Sequence, residues 1–65
     1  MKIQLNGVLI DARFTTLANL LEAEGFSGAK IATAVNGVFV PASIRADHIL
    51  NDNDNVEVLA PMQGG

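Results

Sequence analysis

Side chains able to do chemistry are scarce in this sequence. It has no Cys and a single histidine, His48, so the Cys and His groupings that hold zinc are missing. The thiolates that an iron–sulfur cluster needs are missing too. His48 has no Ser nucleophile at a recognisable spacing and reads as a structural or surface residue. Asp52 and Asp54 lie in the run Asn51-Asp52-Asn53-Asp54-Asn55. That run lacks the ligand spacing and closing Glu of a calcium loop, and a solvated turn is the expectation. There is no catalytic side-chain constellation and no metal site to assign. What remains is the end of the chain, Met62-Gln63-Gly64-Gly65. With glycine at about 7% of residues, a terminal Gly-Gly arises by chance in roughly 0.5% of chains.

A terminal carboxyl group has an ordinary pKa of about 3.3–3.7 and is ionised at neutral pH. A carboxylate is a poor electrophile, and conversion to an acyl-adenylate with ATP makes it reactive. Glycine suits such an end. Without a Cβ the backbone threads a narrow channel and takes φ values closed to other residues. A side chain on the last residue would crowd any group that attacks the acyl carbon. From Ala60 to Gly65 an extended chain reaches roughly 20 Å, at about 3.3 Å per residue.

Composition narrows the rest. The net charge is −3, and the four basic residues, Lys2, Arg13, Lys30 and Arg45, are scattered along the chain. A nucleic-acid partner requires a basic footprint, and a single-strand binder requires aromatics beside it; neither pattern is present. No apolar stretch approaches the roughly 18 residues of a membrane helix, and Met1 to Leu5 lacks the apolar run of a signal peptide. The lack of Cys fits a reducing compartment. A soluble cytoplasmic protein, with neither nucleic acid nor membrane as partner, is expected. A chain of 65 residues makes one domain, and one of that size buries only about 60% of its unfolded surface. Its apolar content of 49%, supplied by Ile, Leu, Val and Ala with three Phe, must compensate.

The elements that carry the terminus follow from local pattern. Met1, Ile3 and Leu5 alternate with Lys2 and Gln4, as in a half-buried strand. Asn6-Gly7 predicts a tight hairpin turn. Val8, Ile10 and Ala12 share one face of the returning strand, and Leu9, Asp11 and Arg13 the other. Thr15 or Thr16 caps a helix running from about Thr16 to Glu24, with Leu17, Leu20 and Leu21 on one side and Gly25 at its end. Phe26 plugs the end of that interface. Ile31–Val35 and Val38–Val40 read as strands about a second turn, Asn36-Gly37, and Pro41 ends the ladder. Ala42–Asp47 fits one helical turn, and Val56–Ala60 is the last strand. Strands on both sides of one helix place the chain in the α+β class.

Four features resemble the sulfur carrier family of thiamin biosynthesis, ThiS. They are the immediate strand with Asn6-Gly7; Thr16-Leu17-Ala18-Asn19-Leu20-Leu21 opening the helix; Ala34-Val35-Asn36-Gly37 with Val40-Pro41; and His48-Ile49-Leu50, then Asp52 and Asp54, then an apolar strand leading to Gly-Gly. The chain departs from the family pattern at Asn19, where an acidic residue is usual, and at Asn53, where glycine is usual. Asn53 still tolerates the left-handed turn conformation. The resemblance implies a ubiquitin-like β-grasp fold, a mixed sheet of four to five strands on one main helix. The domain would span residues 1–60, with residues 61–65 as a flexible tail.

The same resemblance implies a carrier, not an enzyme, that binds no cofactor itself. A ubiquitin-activating-type adenylyltransferase would use ATP to adenylate the Gly65 carboxylate. A sulfur donor of the cysteine desulfurase or rhodanese type would supply the sulfur for a thiocarboxylate, and a thiazole synthase would receive it. Gly64, Gln63 and Met62 would form the rest of the tail. Other readings are the small subunit of molybdopterin synthase, which is usually longer, and a ubiquitin-like modifier or interaction domain with an inert tail. A docking patch of Leu59, Phe39 and Pro61 is expected beside the tail. If Val56, Val58 and Ala60 face the helix, Leu59 and Glu57 face away from it; with the alternation reversed, Leu59 is core.

Overall fold

Two Asn-Gly turns shape the sheet. The computed structural model describes residues 1–13, 15–26 and 30–59. Strands β1 (Lys2–Leu5) and β2 (Val8–Asp11) pair antiparallel, with Ile3 opposite Ile10 and Leu5 opposite Val8. Between them Asn6 and Gly7 have φ of 50° and 83°, the two positive values that a type I′ turn demands. Asn36 and Gly37 repeat this with 52° and 82°, joining β3 (Ala32–Val35) to β4 (Val38–Val40). Ile31, expected to open β3, stands just before it and packs half-buried against the core. Val8 keeps the parity of Ile10 and Ala12 but is exposed, at the turn end of a strand beyond which no other described strand lies.

The helix α1 (Leu17–Ala23) starts at Thr16, not Thr15. Thr16 has extended backbone, and its Oγ1 accepts the Asn19 N–H at 3.2 Å. The Leu17 N–H, one of the donors that a helix start leaves unpaired, donates to the His48 carbonyl at 2.9 Å. At the other end Gly25 takes φ 88°, which a side chain would oppose. The Gly25 N–H then reaches the Glu22 carbonyl and the Phe26 N–H the Leu21 carbonyl, at 3.2 and 2.8 Å, closing a Schellman motif. This returns Phe26 onto the core. Leu17, Leu20 and Leu21 are buried, as their spacing predicts.

After β4 the chain enters a 3-10 segment, Ala42–Asp47, where the sequence suggested one helical turn. Its Arg45 crosses back to β3: Nε donates to Thr33 Oγ1 at 3.0 Å and Nη2 to the Ile31 carbonyl at 2.7 Å. Thr33 is itself buried and donates to the Val40 carbonyl, so its hydroxyl costs nothing unpaired. The last strand, β5 (Asn55–Leu59), lies in the middle of the sheet, whose order is β2-β1-β5-β3-β4. It runs parallel to β1 and antiparallel to β3. A five-stranded mixed sheet packed on one main helix is the β-grasp fold. Ile3, Leu5, Val35, Val40, Val56 and Val58 meet the three helix leucines, with Ala12 and Leu50 completing the core.

Asp54 departs from expectation. It is buried, not solvated. Its Oδ1 accepts from Asn36 Nδ2 at 2.9 Å and its Oδ2 from the Asn51 N–H at 2.7 Å. The cause is local: Asn53, at φ 72°, reverses the chain so that Asp54 meets the second Asn-Gly turn. Asp52 stays exposed and accepts the Lys2 N–H. Among the described residues, every buried side-chain nitrogen or oxygen has a partner.

Candidate functional site

Pro61, Met62, Gln63, Gly64 and Gly65, together with Ala60 at the expected domain limit, lie outside the described residues. What the structure places is their root, and the face beside it. In β5, Val56 and Val58 are buried against the helix side, while Asn55, Glu57 and Leu59 point the other way. Leu59 is 72% exposed and therefore not core. Phe39 is 65% exposed on the same open face.

The register explains how the two come together. Ala34 of β3 lies between Phe39 on β4 and Glu57 on β5, and Ala32 lies beside Leu59. Two short side chains flanked by two long ones leave a depression. It is a shallow hollow of about 160 Å³ lined by Ala32, Thr33, Ala34, Phe39, Glu57 and Leu59. Ala32 and Ala34 are part of this surface, yet the sequence reading passed over them. The signal was present: small residues alternate with Thr33 and Val35, so the open side of β3 has nothing bulky to fill it.

The other half of the open face differs. There β1 and β2 present Lys2, Gln4, Leu9 and Asp11, with Lys2 Nζ 3.5 Å from Asp11 Oδ2. The apolar hollow thus lies on the half of the face next to the end of β5, and the ion pair lies away from it. His48 is half-buried, and its backbone serves the helix start and the 3-10 segment. Among the described residues no His, Cys, Asp and Glu grouping could hold a metal ion. None of the described helices is long and apolar enough to cross a membrane.

A chain of this topology, with an apolar face at the root of a Gly-Gly end, was compared with known proteins. The sequence profile of the ThiS family matches residues 3–65. The chain belongs to the ThiS family. The matched span begins at the second residue of β1, takes in the other four strands and runs through Gly64-Gly65. Among solved structures, the thiamine biosynthesis protein ThiS of Geobacter metallireducens is 25% identical and superposes with a TM-score of 0.84. The similarity covers 100% of both chains. No curated protein matches the sequence.

Proposed function

We propose that this protein is the sulfur carrier of thiamin biosynthesis and that the Gly65 carboxylate is its working group. The observation that carries the reading is the ThiS family match, which spans the β-grasp domain and continues through Gly64-Gly65. The likeness to a thiamine biosynthesis protein supports the same pathway. The chain contributes no catalytic side chain and works in the cytoplasm as a substrate of other enzymes.

The chemistry runs in three steps. In an adenylyltransferase of the ubiquitin-activating type, a Gly65 carboxylate oxygen attacks the α-phosphorus of ATP, giving the acyl-adenylate and pyrophosphate. A persulfide sulfur from a cysteine desulfurase or rhodanese-type donor attacks the acyl carbon, and AMP leaves with the oxygen. A thiol reductant then cleaves the resulting S–S bond, and the terminus is left as a thiocarboxylate. A thiazole synthase takes the sulfur, and an oxygen from water or from the acceptor's carbonyl replaces it on the acyl carbon, which restores the carboxylate. Glycine at both last positions keeps the acyl carbon open to each nucleophile. Leu59 and Phe39, with Pro61 beyond them, form the apolar anchor by which the partners seat the tail.

The test is intact mass after incubation with the adenylyltransferase, ATP and the sulfur donor. A gain of about 16 Da that is sensitive to thiol-directed alkylation is expected, the alkylation separating it from methionine oxidation. A variant lacking Gly65 should gain nothing while melting at the same temperature. Thiolation of that variant at the normal rate would overturn the reading.

A further inference from the structure

The parallel ladder between β1 and β5 ends in an unusual way. Its rungs recur every two residues: the Gln4 N–H donates to the Asp54 carbonyl and the Asn6 N–H to the Val56 carbonyl, both at 2.9 Å. In an evenly spaced parallel ladder the next rung runs from the Val58 N–H to the Asn6 carbonyl. At Asn6 the chain turns away into the hairpin, with φ 50°. The Val58 N–H instead donates to the side-chain carbonyl, Asn6 Oδ1, at 2.8 Å. The side chain does what its own backbone has left undone, and pairing continues to within one residue of Leu59. On the other flank Ala32 of β3 pairs with Leu59 itself.

We infer that Asn6 is a positioning residue for the carrier reaction: its side-chain amide holds the end of β5, and so fixes the place and direction in which β5 reaches Leu59, the residue to which 60–65 are joined. This role rests on the carrier reading. A type I′ turn alone asks only for positive φ, which Gly, Asn and Asp all tolerate. The acceptor is a separate requirement, which Asn and Asp meet and Gly does not. The two requirements can therefore be separated. A tail whose root swings spends less time aligned with a narrow adenylating channel, which raises KM for the carrier; the chemistry of the terminal carboxylate, once seated, is untouched.

The experiment compares Asn6→Gly and Asn6→Asp with the unaltered protein by amide hydrogen exchange and by steady-state adenylation with the activating enzyme and ATP. In Asn6→Gly, Val58 exchange should accelerate by about fivefold to tenfold relative to Val56 and Thr33, the worth of one net hydrogen bond. KM for the carrier should rise several-fold at constant kcat. Asn6→Asp should restore both. If Val58 exchange does not change relative to Val56 and Thr33, the clamp is absent. Faster exchange with unchanged KM means that the clamp is real but positions nothing, and the inference falls. An unaltered protein that is never adenylated overturns the carrier reading and this role with it. That case is distinct, because failure of the clamp alone leaves the unaltered protein active.

Discussion

Leu59 and Phe39 both hold large apolar side chains in water. Both point away from the helix, so neither holds the fold together. Leu59→Asp and Phe39→Asp should therefore leave stability within about 0.5 kcal/mol, the usual range for exposed sites. Burial of one such side chain at an interface is worth roughly 1.5–3 kcal/mol, so affinity for the adenylyltransferase should fall about tenfold or more. Thermal melts by circular dichroism and titration calorimetry separate the two effects; a folded variant with full affinity would remove the patch from the mechanism. Strand alternation left two orientations open for Leu59, core or open face, with Glu57 arguing for the second, and the structure places Leu59 on the open face. Asp54 was not readable. In a run of alternating Asn and Asp every residue looks solvated, and the partner that buries this carboxylate, Asn36, lies 18 residues away in a turn. Side-chain pairing between two loops leaves no periodicity to detect.

The elements themselves were legible because their signals are local. Each Asn-Gly pair requires positive φ, Thr16 offers an oxygen to a helix start, and Gly25 ends the helix; each acts within four residues of itself. Neighbours in the sheet were not legible from pattern. Alternation says which face a residue takes and is silent on which strand lies alongside, so the β1·β5 pairing came from family resemblance. The helix illustrates the energetic side. It is only 7 residues long, and isolated helices shorter than about 12 residues are marginal in water. Its stability comes from seating Leu17, Leu20 and Leu21 on the sheet. Leu21→Ala should cost about 2–5 kcal/mol. A domain of this size holds only a few kcal/mol in all, so the variant should be largely unfolded. A urea midpoint within error of the unaltered protein would show that Leu21 carries no such load.

At the scale of the whole molecule, the strand made last occupies the centre. β5 provides partners to β1 on one side and β3 on the other. Without it the sheet falls into two separate hairpins, and an isolated hairpin is marginal at best. A fragment ending at Asp54 should show no cooperative thermal transition by circular dichroism. A sharp melt would mean that the two hairpins and the helix suffice.

Synthesis runs from the N-terminus, and closing β1 on β5 brings together residues about 50 positions apart, a step whose entropic cost is met only when the later segment exists. On the ribosome, the first hairpin and the helix therefore wait, unable to bury their apolar sides. Leu59 and Phe39 become neighbours only in the event that completes the sheet. A chain interrupted before residue 59 lacks one wall of the apolar hollow. The central position of β5 thus makes the open-face hollow a late product of synthesis, since the hollow takes its lining from β3, β4 and the far end of β5 together.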